Sequence, residues 1–271
     1  MANQRTKLRP IIQDHQVALA DRDADRPRGL PKGKALKRAI KEQRKRIQKL
    51  QDVFYADARY GLLVVLQGRD ASGKDGTVKH VFRSVNPMGC EVTSFKEPTE
   101  IERDHDFLWR IERRVPAKRM IGIFNRSHYE DVIVPRIHQQ ISEEDLRKRY
   151  EEINDFERKL TENAVVILKF FLHISRGAQK KRLIERLRNP KKNWKFREGD
   201  LDDRARWDDY TAAFTDMIAN CSSRWARWYV VPADDEDARN LLVARTIADT
   251  LEGLKLRYPK IDPKLKKIEI E

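Results

Sequence analysis

With 271 residues, 39% of them apolar, the chain is long enough for one well-packed α/β domain with appendages or for two small ones. A net charge of +14 and a pI near 9.7 call for a polyanionic partner: nucleic acid, an anionic membrane surface or a polyphosphorylated substrate. No apolar run approaches the roughly 20 residues of a membrane span, and the opening MANQRTKLRPIIQDHQ lacks the apolar core of a secretory signal.

Residues 1–33 are polar and aperiodic and predict an extended or loosely docked arm. Leu36, Ile40, Ile47, Leu50, Val53 and Phe54 recur at helical spacing and predict a helix over 34–58. Its first part, 34–49, carries eight Lys/Arg against one Glu, which reads as a solvated basic face or the border of an anion-binding groove.

Residues 61–77 read GLLVVLQGRDASGKDGT, an apolar strand running into a glycine-rich loop and a helix-compatible stretch. Gly68, Gly73 and Lys74 have the G-x-x-x-x-G-K spacing of a phosphate-cradling P-loop. The glycines let backbone N–H groups turn inward. The following helix points the positive end of its dipole at the phosphates, and Lys74 adds a full charge. Asp75 stands where a standard P-loop has a Ser or Thr on magnesium, and the nearest hydroxyl is Thr77. Asp70 is an unusual carboxylate inside the loop, best justified by a bound cation, so it is read as a magnesium ligand, direct or through water. The competing reading is a strand–turn–helix junction with an N-cap aspartate.

A helix over 73–84 is expected to end at the turn Asn86-Pro87-Met88-Gly89, before a strand over Glu91–Phe95. Lys96 follows, either reaching phosphate or lying on the surface. A helix over 100–114 stops before Pro116, with Phe107-Leu108-Trp109-Arg110 packing on the sheet. The third strand, Met120–Phe124, delivers Asn125-Arg126-Ser127-His128-Tyr129-Glu130-Asp131 to its end. Many P-loop enzymes carry an aspartate at the place of Asn125. Arg126 either clamps phosphate oxygens or pairs with Glu130 or Asp131, and His128 reads as a packed or capping residue. Ser142 caps a helix to about 162, with Asp145 in the capping-box position. Val165–Ile174 is the fourth strand. Ser175 caps a helix over 176–188, Trp228–Val231 is the fifth strand, and 235–256 is the last helix. Residues 176–206 read as a basic helical lid over phosphates or as a solvated charged hairpin; Trp194 and Phe196 favour the lid. Cys90 and Cys221 are far apart with no metal-ligand spacing, which predicts reduced thiols in a cytoplasmic protein.

Strands alternating with helices predict an α/β fold with a mostly parallel five-stranded sheet covered on both faces. The chemistry is then expected at the carboxyl ends of the strands, after Leu66, Phe95, Phe124 and Ile174. The globular domain is placed at 34–262, with a tail over 263–271.

GRDASGKDGT, FNRSHYED and NPKKNWKF, supported by NPMG, TSFK, HDFLWR and WYVVPAD, resemble the hallmark segments of the second polyphosphate kinase family over about residues 35–260. The resemblance implies a P-loop kinase-like three-layer α/β/α fold with a helical lid. It implies transfer of the terminal phosphate of inorganic polyphosphate to AMP or ADP, or to GMP or GDP, reversibly and with Mg2+ or Mn2+. The chain is further expected to be cytoplasmic, with no specific nucleic-acid or membrane partner, and its extent of exposed helix predicts a homo-oligomer, dimer or tetramer. By position, Asp70, Lys74 and Arg126 are catalytic. Gly68, Ala71, Ser72, Gly73, Asp75, Gly76, Thr77, Asn125, Tyr129 and Glu130, with Arg182, Arg186 and Lys195 of the lid, bind phosphate or nucleotide. Asn125 with Glu130 resembles the subgroup that accepts both mono- and diphosphates. Polyphosphate, with about one charge per phosphate, also gives the basic excess a reason. An ATP-dependent nucleoside monophosphate kinase leaves that excess unexplained. A nucleic-acid-binding P-loop protein using 34–49 lacks a recognised module.

Overall fold

The computed structural model describes residues 7–12, 17–260 and 262–264. The predicted tail beyond Lys264, and residues 1–6 and 13–16 of the arm, lie outside the described residues. The continuous apolar run GLLVVLQ forms β1 (Gly61–Gln67), buried along its whole length. That is the pattern of a strand covered on both faces of a parallel sheet. Its neighbours are β3 (Ile121–Asn125) and β4 (Val165–His173), with β2 (Cys90–Ser94) and β5 (Trp228–Pro232) at the edges. The order is β2-β3-β1-β4-β5, and every pair is parallel.

Side chains alternate across the sheet with period two. Leu63 and Val65 join one core with Phe124, Phe171 and Trp228, covered by α5 (Glu130–Ile137), α6 (Glu143–Glu162) and α9 (Trp207–Asn220). Leu62, Val64 and Leu66 join the other with Ile123, Phe170 and Leu172. That second core is covered by α1 (Gly33–Asp57), α2 (Lys74–Val81) and α10 (Glu236–Gly253).

Several elements differ from expectation. The predicted helix over 100–114 is two single turns, α3 (Glu100–Arg103) and α4 (Trp109–Glu112). Between them the Asp106 carboxylate accepts from the Leu108 amide at 2.9 Å, an Asx-type turn that competes with helix. Residues 130–137 and 207–220, left without assignment in the sequence, are α5 and α9. Pro135 sits inside α5, and α9 is preceded by the short α8 (Gly199–Ala205). At α6 the Ser142 hydroxyl accepts from the Asp145 amide at 3.0 Å, as its spacing predicts.

The described part of the arm docks against the sheet. The Ile11 amide donates to Trp228 O at 2.7 Å, beside β5. Ala20 O bonds a His173 ring nitrogen at 2.8 Å. Leu19, Ala24 and Leu30 are buried. Among the described residues, no helix is long and apolar enough to cross a membrane.

Candidate active site

The carboxyl end of β1 lies between β3 and β4, where the strand order reverses direction, and such switch points form the crevice of open α/β sheets. Residues 68–73 fill that crevice as a loop opening onto α2. Its backbone needs left-handed angles at Gly68 (φ +147°) and Gly73 (φ +101°), where a Cβ would also collide.

Every carbonyl of the loop is engaged from within the protein. Lys74 Nζ donates to Gly68 O at 2.6 Å and to Arg69 O at 3.2 Å. Gln179 Nε2 donates to Asp70 O at 3.1 Å. Arg182 Nη1 donates to Ala71 O at 2.8 Å and to Ser72 O at 3.2 Å. Arg239 Nη1 also reaches Ser72 O, at 3.1 Å. The Thr77 hydroxyl turns back onto Gly73 O at 3.0 Å. Among the described residues the amides of Asp70, Ala71 and Gly73 meet no acceptor. A loop with its carbonyls occupied and its amides unpaired is a preformed anion cradle.

A charge cluster stands over the cradle. Arg126 leaves the end of β3 with φ +63°, rare for a side-chain-bearing residue. Its Nη2 pairs with Asp70 Oδ1 at 2.7 Å and its Nη1 with Glu130 Oε2 at 3.2 Å. Glu130 foremost, then Asp70, raises the Arg126 guanidinium further above its usual range, against burial. Burial works to raise Asp70, but Lys74, Arg126 and Arg186 outweigh it and hold the carboxyl below the usual range. Burial, followed by the Arg126 charge, pulls the Lys74 ammonium down. At the rim, Asp75 accepts from Asn125 Nδ2 at 2.9 Å and pairs with Lys195 Nζ at 3.0 Å, tying the start of α2 to the turn at residues 193–195.

The structure thus brings Gly68, Asp70, Ala71, Ser72, Gly73, Lys74, Asp75, Gly76, Thr77, Asn125, Arg126, Glu130 and Lys195 to one edge. Arg182, on α7 (Arg176–Arg188), grips carbonyls behind the loop, including Ala233 O at 2.7 Å, so its guanidinium is a strut. Arg186 pairs with the buried Asp200 of α8 at 3.1 Å. Tyr129 is not part of the surface. Its ring is wholly buried, and its hydroxyl donates to Glu157 Oε1 and accepts from Lys169 Nζ, each at 2.8 Å. With Lys169 on Glu157 Oε2 at 2.6 Å, this buried network anchors the segment between Arg126 and Glu130 from below.

Sequence reasoning missed Arg69, Gln179, Asp203, Tyr210, Phe214 and Arg239. The first five line the cleft beside Asp70 and Arg126, about 60 Å3 in volume. Arg69 stacks on Trp207 at 3.8 Å and donates to Trp207 O at 2.8 Å, fastening the loop to α9. Burial lowers it to about 10. Burial and the Asp70 charge push Asp203 up. The one legible signal was Arg69, a cation within the loop motif itself; the others stand on helices with no motif of their own.

The carboxylates lining the cleft are Asp70, Glu130 and Asp203. Among the described residues no group of three or more His, Cys, Asp or Glu is placed to hold a metal. The donor set therefore fits a hard cation shared with phosphate oxygens and water, not one caged by protein alone.

A parallel sheet with a phosphate-cradling loop at its switch point, a buried Lys74 and an arginine–carboxylate pair above it defines a P-loop kinase-like protein. Residues 31–259 match the model of the polyphosphate kinase 2 (PPK2) family, and the chain belongs to that family. It is 49% identical over 227 residues to an AMP/ADP-polyphosphate phosphotransferase of Meiothermus ruber, covering 84% of this chain and 85% of that one. It is 42% identical over 240 residues to an ADP-polyphosphate phosphotransferase of Rhodopseudomonas palustris, covering 84% and 83%. The crystal structure of polyphosphate kinase 2 from Arthrobacter aurescens TC1 superposes with a TM-score of 0.85 at 42% identity, over 89% of this chain and 87% of that one.

Proposed function

We propose that this chain transfers the terminal phosphoryl group of inorganic polyphosphate to AMP and to ADP. The observation that carries the reading is the loop of residues 68–73, its carbonyls bound within the protein and its Asp70, Ala71 and Gly73 amides unpaired, beside Lys74 and Arg126 in a chain of this family. The donor P–O bond breaks as an acceptor phosphate oxygen takes the phosphoryl group. No covalent enzyme intermediate is required, so the protein's contribution is positioning and charge neutralisation.

The loop amides hold the oxygens of the transferring group. Lys74 and Arg126 neutralise its charge. Asp70 orients the acceptor and, with Glu130 beside it, would hold Mg2+ or Mn2+, which supplies further neutralisation of phosphate charge. Arg186 and Lys195 bring cations from the lid segment. Asn125 and Glu130 support acceptance of both mono- and diphosphates, as does the 49% identity to a relative named for both acceptors. The same reading makes the chain a homo-oligomer, supported by the open sheet edge at β2, where Met88 is 75% and Val92 49% exposed.

The test supplies purified protein, magnesium and long-chain polyphosphate with AMP alone or with ADP alone, and reads ATP by luciferase. ATP from both is expected. ATP from ADP only would overturn the dual-acceptor reading. No ATP from either, with a folded protein, would replace it by an ATP-donor nucleoside monophosphate kinase.

A further inference from the structure

Arg239 lies on the first turns of α10, pointing into the back of the phosphate loop, and is only 1% exposed. Its Nη1 donates to Ser72 O at 3.1 Å and its Nη2 to Asn240 Oδ1 at 3.2 Å, while Nε has no partner. A Cβ built on Gly73 would fall 2.0 Å from Nη1, and one on Gly76 would fall 3.3 Å from Nη2. The guanidinium therefore presses directly on the backbone where the loop becomes α2. Among the described residues no carboxylate forms an ion pair with it. The comparably buried Arg110, by contrast, has Asp131 at 3.1 Å. Burial lowers Arg239 to about 10, which leaves it cationic at neutral pH.

Glu236, with Asp235 and Asp237, offsets part of that charge from a distance, but a buried guanidinium with no carboxylate in direct contact is costly, and proteins retain one where something else completes the balance. The residues it backs, Ser72 and Gly73, adjoin the unpaired amides of Ala71 and Gly73. An anion held there is separated from Arg239 by peptide and not by water, so their attraction is weakly screened.

We propose that Arg239 is a positioning residue whose buried charge is balanced by the phosphate group bound in front of the loop. It holds Ser72 O backward and adds a fixed positive field to the cradle without touching the substrate. The field strengthens binding in proportion to the charge of the anion, and so favours a polyphosphate end over a singly charged ligand. This deepens the proposed function and rests on it for the choice of donor.

The test measures binding of inorganic tripolyphosphate, by calorimetry and thermal shift, to the full chain and to Arg239→Gln, Arg239→Met and Arg239→Lys. Gln keeps a donor for Ser72 O without the charge; Lys keeps the charge. Without ligand, the Gln and Met variants are expected to melt at or above wild type, because a buried charge with no carboxylate in direct contact has been removed. Their Kd for tripolyphosphate is expected to rise about tenfold or more, with Lys within about threefold of wild type. In turnover, the polyphosphate KM of the Gln variant should rise more than its acceptor KM. Wild-type affinity in the Gln variant would overturn the proposal, as would equal weakness of Gln and Lys. Neutral variants that fail to fold would overturn it too, since Arg239 would then be a structural strut. A wild-type chain that binds ATP but not tripolyphosphate would sink the donor reading alone, and the same comparison would be scored with ATP.

Discussion

Lys74 does two jobs that pull on its geometry in opposite directions. Its ammonium closes the loop through Gly68 O and Arg69 O, yet in the proposed reaction it also neutralises the transferring group. Burial already disfavours that charge, so a phosphate oxygen is a welcome third partner. Lys74→Ala and Asp70→Asn are each expected to lower kcat by about 100-fold or more, with the circular dichroism spectrum unchanged. Wild-type turnover in either variant would remove the residue from the site. Gly73→Ala is expected to fail differently. Its φ of +101° strains any side chain, and the new methyl group would land against Arg239. Both melting temperature and phosphate binding should drop together.

At the scale of elements, residues 176–206 divide in two. Gln179 and Arg182 fasten α7 to the loop, whereas the segment 189–206 reaches the loop and the start of α2 only through Lys195 to Asp75 among the described contacts, its other ties running to α7, α9 and Ile137. Trp194, near its tip, is 75% exposed. The cleft beside Asp70 and Arg126 is narrow, with about 60 Å3 of enclosed space, room for a few waters. Amides of 189–206 are therefore expected to exchange with deuterium faster than those of 176–188 and to slow when polyphosphate and nucleotide bind; uniform protection across both would exclude a hinge near Asn189. At the other end of the molecule, Asp57 closes α1. It accepts from Arg59 Nε at 2.6 Å and from the Arg257 amide at 2.8 Å. Arg59 foremost lowers the Asp57 carboxyl from 3.8 to about 2. A carboxyl depressed on folding stabilises the fold above its unfolded value and loses that contribution as pH falls through the folded one. Urea melts of Asp57→Asn against wild type should show a deficit at pH 7 that closes between about pH 4 and pH 2. A deficit that stays constant in acid would mean the charge is not the source.

Over the whole molecule the charge of +14 is not evenly useful. Much of it sits on the exposed face of α1, where Lys34, Lys37, Lys41, Lys45 and Lys49 lie in solvent. Such charges raise the potential around the protein and speed the approach of a polyanion, and salt screens them. The KM for long-chain polyphosphate is expected to climb about tenfold or more between about 50 and about 200 mM salt, while the KM for AMP moves far less. A flat response for polyphosphate would assign the basic excess to solubility alone.

Periodicity and spacing were enough to read the α/β alternation, the central apolar strand and the loop of residues 68–74. Those signals are local: a buried parallel strand must be apolar throughout, and a phosphate loop needs glycine where φ is positive. The short motif beginning at Asn125 was legible for the same reason, since it follows directly from a strand end. The break at Asp106 and the helix over 207–220 were not, because a side-chain turn and a buried helix between charged loops leave no clear period. Tertiary structure alone decided the burial of Tyr129 against Lys169 and Glu157, the use of Gln179 and Arg182 as struts, and the place of Arg239. Each depends on which faces of distant elements meet at the switch point, and that is set by the packing of the sheet and not by neighbours in the chain.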